Sequence, residues 1–203
     1  MSRSAPHAIF QLMRRHVPNF LTLGRILLVP VFALALYVGW SWIALVIFII
    51  AGVTDALDGH LARRLQSHSQ LGQMLDPIAD KLLVAVAIVM MVDAHTISGF
   101  TLVPALIILT REILLSGLRE YLATLAVAVP VSRIAKLKTG IQMVALGMLI
   151  GGSALESAIP GALLIGEIAL WLAAALTLYT GYNYVIAGLP HLDVGTSEKG
   201  AEW

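Results

Sequence analysis

Six long runs of apolar residues follow one another along the chain, separated by short polar or glycine-containing segments. A helix needs about 20 consecutive apolar residues to cross the hydrocarbon core of a bilayer, and each run has about that length. The runs cover residues 19–38, 41–65, 71–92, 100–122, 132–150 and 161–186. The pattern predicts an all-α, polytopic integral membrane protein with six transmembrane helices, which form one membrane domain over residues 1–190.

The two ends of the chain carry a different pattern. Ala8, Ile9, Leu12, Met13 and His16 recur at helical spacing ahead of the first run, which is typical of a short amphipathic helix in the membrane interface. Residues 191–203 include Gly195, Thr196 and Ser197, and they are expected to form a flexible tail.

Basic residues are distributed unevenly between the connections. The segments 39–40, 93–99 and 151–160 contain no Lys or Arg, whereas Arg14, Arg15, Arg63, Arg64, Arg133 and Lys199 lie at the opposite ends of the runs. Because cytoplasmic connections carry the excess of Lys and Arg, both termini are predicted to be cytoplasmic, and the expected location is a bacterial inner (plasma) membrane.

Composition supports the membrane assignment and limits the chemistry. The 203 residues are 59% hydrophobic and 12% charged, with a mean hydropathy of +0.88 and a net charge of +1. This charge gives no reason to expect a nucleic-acid partner. The chain has no cysteine, so a disulfide, a thiolate nucleophile and a Cys-ligated zinc are excluded, and any metal must have oxygen or His ligands.

Four aspartates lie near the cytoplasmic ends of the second and third runs. Asp55 and Asp58 are three residues apart, and Asp76 and Asp80 are four apart, so each pair shares one face of a helix. Carboxylates at membrane depth are costly and tend to mark functional sites. Their hard oxygen ligands suit Mg²⁺ or Mn²⁺, and four together favour two metal ions per site. A divalent-cation carrier would also explain the aspartates.

Small residues and one arginine accompany the aspartates. Gly59 and Ala62 lie near the Asp55 face of the helix, and Gly72 lies one turn before Asp76. They leave room for a bulky ligand, and Arg63 can offer a forked donor to a phosphate. Taken singly, such residues are also ordinary in helix packing, and a cation carrier would not explain them.

The joint spacing of these residues resembles the signature of the CDP-alcohol phosphotransferase family, D-x2-D-G-x2-A-R-x8-G-x3-D-x3-D. The chain matches all eight fixed positions: Asp55, Asp58, Gly59, Ala62, Arg63, Gly72, Asp76 and Asp80. The resemblance implies that the four aspartates bind metal, that Asp80 is also the general base, and that the CDP group lies against Gly59, Ala62, Arg63 and Gly72. It also implies a homodimer.

Four further cations could bind a phosphate on the alcohol that accepts the transferred group. We call them the acceptor cations: Arg111, Arg119, Lys136 and Lys138. Arg111 and Arg119 are eight residues apart on the fourth run and can share a face. Lys136 and Lys138 are about 160° apart around a regular helix, so both cannot point the same way without distortion or a long reach.

The segments 18–25, 111–120 and 136–143 resemble the branch of the family that uses sn-glycerol 3-phosphate. The resemblance implies that CDP-diacylglycerol and glycerol 3-phosphate give phosphatidylglycerophosphate and CMP. It also implies that the acceptor cations surround the acceptor phosphate and that Asn19 and Thr22 lie close to the nucleotide. Inositol 1-phosphate, serine and phosphatidylglycerol remain alternative acceptors.

Overall fold

The computed structural model describes residues 22–65, 70–125, 127 and 133–192. The predicted interfacial helix, Asn19 and residues 193–203 of the predicted tail lie outside the described residues. Within them the chain is α-helical, without a β-strand, which confirms the all-α part of the predicted fold class. The long helices are α1 (Thr22–Tyr37), α2 (Ser41–Leu65), α3 (Gln70–Asp93), α4 (Leu102–Thr124), α5 (Arg133–Glu156) and α6 (Ala162–Leu192), and a single 3₁₀ turn (Gly99–Thr101) leads into α4.

Each apolar run corresponds to one helix, and the differences lie at the helix ends. The α5 helix extends to Glu156, past the predicted end at residue 150, and α6 extends to Leu192, past residue 186. Gly152 interrupts α5 with φ +48° and ψ −135°, a non-helical conformation that glycine adopts without a steric penalty. The backbone is therefore kinked at Gly152, close to the predicted end at residue 150, and the residues up to Glu156 follow the kink. Hydropathy marks where a run stops being apolar, whereas a helix continues until its hydrogen-bond ladder ends.

Gly39 ends α1 and allows the tight connection to α2. Its φ is +84°, its N–H donates to the Leu36 carbonyl at 3.0 Å, and the Trp40 N–H donates to the Ala35 carbonyl at 2.8 Å. These two bonds form a Schellman motif, which satisfies the last carbonyls of a helix. The chain therefore reverses direction over three residues.

The first of two compact units comprises residues 1–96 and 150–160. In it α1 and α2 pack as an antiparallel pair, since Phe32 contacts Phe48 with ring centroids 6.0 Å apart and Arg25 contacts Asp55. Three buried alanines lie on these two helices: Ala35 on α1, and Ala44 and Ala51 on α2. Small side chains let helices approach closely in a membrane.

The second unit comprises residues 97–149 and 161–203. Its core is formed by apolar side chains of three helices: Ile108, Leu115 and Leu122 of α4, Ala145, Leu146 and Leu149 of α5, and Leu170, Ala173 and Ala174 of α6. Gly166 brings α6 against α5, because a Cβ built there would lie 3.0 Å from Leu149 and 3.1 Å from the Met148 Cβ.

The helices carry the apolar surface of a membrane protein. Within the described residues three helices are long and apolar enough to cross a bilayer: Gly99–Thr124, Ile134–Glu156 and Ala162–Leu189. Two shorter apolar helices are Thr22–Tyr37 and Ser41–Asp55. Large apolar side chains such as Leu27, Leu114 and Ile168 are more than 60% exposed. Such a surface is stable against lipid and would be an aggregation hazard in water.

Candidate active site

The four signature aspartates lie on two successive helices of the first unit. Asp55 and Asp58 belong to the C-terminal part of α2, and Asp76 and Asp80 belong to the first half of α3. The helical geometry on which their pairing depends is therefore present. Of these four side chains the structure describes that of Asp55; the other three, with those at Ala62 and Arg63 and the positions Gly59 and Gly72, lie outside the described side chains, and their roles stay predictions.

Asp55 is held by a buried arginine of α1. Arg25 Nη1 donates to Asp55 Oδ1 at 2.5 Å. The Arg25 side chain is 1% exposed, whereas that of Asp55 is 42% exposed. An arginine inside an apolar helix is stable only when paired with an acceptor. The ion pair therefore anchors the carboxylate to α1 while a large part of it stays accessible to a ligand.

Arg25 is a site residue whose role the sequence reasoning missed. It lies within the first apolar run, but its spacing along that run indicates no partner. The available signal was its place one turn after Thr22, which is 2% exposed and is predicted to lie close to the nucleotide. Two polar side chains on one turn of an apolar helix indicate a polar site.

The donor atoms of the predicted metal site fit a hard divalent cation. All four predicted ligands are carboxylates, and Asp55 is anchored through one oxygen and is accessible. Carboxylate oxygens are the ligands that Mg²⁺ and Mn²⁺ prefer. Among the described side chains, no three His, Asp or Glu residues lie close enough together to hold a metal ion. Three of the four predicted ligands have side chains outside that set.

A second polar cluster lies inside the second unit, and it joins two of the acceptor cations. Arg111 Nη1 donates to Glu112 Oε1 at 3.2 Å, and Lys138 Nζ donates to the same oxygen. Arg111 Nη2 donates to Thr180 Oγ1 at 3.3 Å. Helices α4, α5 and α6 thus each contribute a side chain, and we call Arg111, Glu112, Lys138 and Thr180 the buried cation cluster.

The other two acceptor cations lie in different surroundings. Lys136 is exposed, whereas Lys138 is 3% exposed, in agreement with the prediction that the two lysines point in different directions. Arg119 is exposed, and its guanidinium carbon lies 5.8 Å from the centroid of the Tyr184 ring, within the range of a cation–π contact. That all four cations bind the acceptor phosphate stays a prediction.

Glu112 and Thr180 were not identified as site residues from sequence. The signal for Glu112 was its position beside Arg111, because a buried cation requires a counter-charge. Thr180 gave no comparable signal, since threonine is common in membrane helices and its hydroxyl also donates to the Leu176 carbonyl at 2.8 Å.

Several polar atoms near this cluster have no hydrogen-bond partner among the described residues. They are Arg111 Nε, Gln142 Oε1 and Thr177 Oγ1, all buried. Gln142 lies one turn after Lys138 on α5, and Thr177 one turn before Thr180 on α6. Buried polar atoms are normally satisfied by protein, water or ligand, so this region has unused hydrogen-bonding capacity.

An apolar cavity of about 500 Å³ lies along α4 and α6 beside the cluster. Its walls include Leu106, Leu114, Leu178 and Val185, and the Arg111 side chain forms part of the lining. The stem of Arg111 therefore borders an apolar space while its guanidinium is bonded to Glu112 and Thr180.

The fold and the site together define the class of protein: an integral membrane protein whose α2 and α3 carry a complete acidic signature and whose second unit buries paired cations. Residues 15–179 match the CDP-alcohol phosphatidyltransferase family. The chain belongs to this family.

Relatives from several bacteria share one name, CDP-diacylglycerol–glycerol-3-phosphate 3-phosphatidyltransferase. The protein from Rickettsia felis is 46% identical over 173 residues, which cover 84% of this chain and 93% of the relative. The protein from Pseudomonas fluorescens is 42% identical over 183 residues, 87% of this chain and 92% of the relative. The protein from Cereibacter sphaeroides is 36% identical over 217 residues, 89% of this chain and 98% of the relative.

Proposed function

We propose that this chain transfers the phosphatidyl group of CDP-diacylglycerol to sn-glycerol 3-phosphate and releases CMP. The observation that carries the proposal is the complete signature on α2 and α3 in a chain that is 42–46% identical to relatives named for this transfer. The product is phosphatidylglycerophosphate. The buried cation cluster supports a phosphorylated acceptor, because Arg111 and Lys138 carry two positive charges against the single negative charge of Glu112.

Asp80 is proposed as the general base. The acceptor hydroxyl gives its proton to the Asp80 carboxylate as its oxygen forms a bond to the lipid-side phosphorus. The bond between that phosphorus and the oxygen bridging to CMP breaks, and CMP leaves with that oxygen. A positioned carboxylate speeds such a proton transfer because a free hydroxyl is a poor nucleophile near neutral pH.

Asp55, Asp58, Asp76 and Asp80 are proposed to hold divalent metal, Mg²⁺ or Mn²⁺, as a pair of ions. When bound, such ions offset the negative charge of the diphosphate. Arg25 contributes by anchoring Asp55 through Oδ1. The CDP group is proposed to contact Asn19, Thr22, Gly59, Ala62, Arg63 and Gly72.

The acceptor phosphate is proposed to bind Arg111 and Lys138, together with Arg119 and Lys136 from their more exposed positions. Arg111 and Lys138 lie close enough to share one carboxylate oxygen, so a single phosphate group can reach both. Charge-assisted hydrogen bonds of this kind are about twice as strong as neutral ones.

The arrangement in the membrane is also a proposal. All six helices are proposed to span the bacterial inner membrane, with both termini and the active site cytoplasmic, as the distribution of Lys and Arg predicts. An N-terminal interfacial helix precedes a membrane domain that ends at residue 190, and residues 191–203 form a cytoplasmic tail. The family resemblance supports a homodimer.

The transfer is tested by acceptor-dependent release of CMP. Purified protein in detergent, given CDP-diacylglycerol and Mg²⁺ or Mn²⁺, is expected to release CMP when glycerol 3-phosphate is added. The same assay is run with inositol 1-phosphate, serine and phosphatidylglycerol. Equal release with any of these would overturn the acceptor assignment.

The variant D80N serves as the inactive control for this assay. We expect a loss of turnover of at least about a hundredfold, the usual contribution of a general base, with the protein still extracted and folded. A near-normal rate would remove Asp80 as the base. Chelation of divalent metal in the wild type should abolish release as well, and release that persists would remove the metal from the reaction.

A further inference from the structure

The carboxylate of Glu112 lies between two cations that are proposed to bind the acceptor phosphate. Arg111 and Lys138 both donate to one oxygen, Oε1. The side chains of Arg111, Glu112 and Lys138 are 17%, 18% and 4% exposed. Two cations this close would repel each other in a largely buried site, and the repulsion is strong at low dielectric. Glu112 offsets that repulsion and holds both cations at a common point.

The α6 helix restrains the same guanidinium from a second direction. Thr180 Oγ1 accepts from Arg111 Nη2 at 3.3 Å, while its own hydroxyl donates to the Leu176 carbonyl at 2.8 Å. The donation to the backbone orients the hydroxyl so that a lone pair is directed to Arg111.

Gly181 lies where α6 approaches the stem of Arg111. A Cβ built at Gly181 would lie 3.4 Å from both the Cγ and the Nε of Arg111, so α6 approaches the arginine stem closely. The stem otherwise borders the largely apolar cavity. Glu112 and Thr180 therefore fix the direction of the guanidinium, and the Arg111 Nε remains without a partner among the described residues.

We propose that Glu112 is a positioning residue for the acceptor site, which holds Arg111 and Lys138 on one carboxylate oxygen, and that Thr180 completes the restraint on Arg111. Neither residue needs to touch the substrate. Ligand affinity rises when the binding groups are held in place before the ligand arrives. This inference rests on the proposed function, because it assigns the two cations to a phosphorylated acceptor.

The first test separates the acceptor from the lipid substrate by steady-state kinetics. E112Q keeps the shape of the side chain and removes its charge. We expect it to raise the KM for glycerol 3-phosphate by about tenfold, the effect of losing one hydrogen bond to a charged group, while the KM for CDP-diacylglycerol stays within about twofold. E112D keeps the negative charge, and its KM for glycerol 3-phosphate is expected to lie between those of E112Q and the wild type.

The matched control is E120Q, the same change at an exposed position two turns further along α4. It is expected to leave both KM values unchanged.

The second test uses Thr180, whose substitution leaves every charge in place. T180V replaces the hydroxyl by a methyl group of nearly the same volume, and we expect a KM for glycerol 3-phosphate about threefold to tenfold higher. T180S retains the hydroxyl and is expected to restore the wild-type value. A purely structural role would not produce this rescue together with an unchanged KM for CDP-diacylglycerol. T180V also provides a test if E112Q does not fold.

Three outcomes would overturn the inference. A lower KM for glycerol 3-phosphate in E112Q would show that the carboxylate competes with the acceptor. Equal rises in both KM values would show a general structural effect. Wild-type KM values in both E112Q and T180V would show that neither residue positions the acceptor cations. Failure of the proposed function is distinguished by the wild type, which would then release no CMP on addition of glycerol 3-phosphate.

Discussion

The Arg25–Asp55 pair is an ion pair with unequal partners. Arg25 is almost fully buried, whereas the Asp55 carboxylate is 42% exposed. Transfer of a charge out of water is costly. Burial of the Arg25 charge therefore requires the Asp55 carboxylate, whereas the exposed Asp55 carboxylate can remain charged without Arg25. In return the arginine limits the directions in which the Asp55 carboxylate can point.

Substitution of Arg25 tests this role. R25M keeps most of the apolar stem and removes the donor, so we expect kcat to fall by about tenfold or more because Asp55 is no longer anchored. R25K retains the positive charge but lacks the planar guanidinium, so its kcat should lie between those of R25M and the wild type. The measurement is kcat at saturating substrates, with the unfolding temperature in detergent as a check of folding. A wild-type kcat in R25M would show that Asp55 needs no anchor.

At the scale of helices, the second unit depends on small residues where helices approach each other. Gly166 of α6 lies against Met148 and Leu149 of α5, and Gly188 lies against Leu122 of α4, where a built Cβ would be 3.2 Å from a leucine methyl. At Gly166 the nearest atoms include the Met148 Cβ, which cannot move without its backbone. Gly166 is therefore the less tolerant of the two positions.

The variant G166A is expected to destabilise the second unit. Overpacking of a close helix contact costs about 1–3 kcal/mol, which outweighs the gain of up to about 1 kcal/mol from alanine in a helix. The matched control is G117A on α4, where a Cβ would have no heavy atom within 4 Å; it should be neutral or slightly stabilising. Thermal unfolding in detergent measures both, and a G166A protein as stable as G117A would contradict the close packing.

At the scale of the whole chain, the apolar exterior and the charge distribution jointly suggest one orientation in the membrane. The connection between α3 and α4 and that between α5 and α6 contain no Lys or Arg, whereas Lys and Arg lie at the opposite helix ends. Asymmetry of this kind sets orientation because basic segments are retained on the cytoplasmic side.

Because the chain has no cysteine, the proposed topology can be tested by single-cysteine labelling. A94C and S157C lie in connections expected on the periplasmic side, and T124C lies at the opposite end of α4; all three positions are exposed. A membrane-impermeant maleimide added to intact spheroplasts should label A94C and S157C but not T124C. Permeabilised cells control for reactivity, and the reverse pattern would invert the proposed orientation.

The order and approximate limits of the six long helices in the described residues are predictable from hydropathy, because a run of apolar residues in lipid has to satisfy its backbone hydrogen bonds internally. The positions of the aspartate pairs on α2 and α3 are predictable for the same reason. The predicted helix ends were less accurate: α6 continues to residue 192, and a further helical segment follows the kink at Gly152 in α5, since local hydrogen bonding decides where a helix ends.

Charge pairing, by contrast, depends on which side chains the folded helices bring together. Asp55 is 30 residues from Arg25, and Glu112 is 26 residues from Lys138. Spacing along one helix cannot reveal such partners, because they lie on different helices and meet through packing. Local sequence thus specifies the helices and the signature on them. The anchoring of Asp55 by Arg25 and the joining of Arg111 to Lys138 through Glu112 arise from tertiary contacts, because Arg25 and Lys138 are buried and need a counter-charge from another helix.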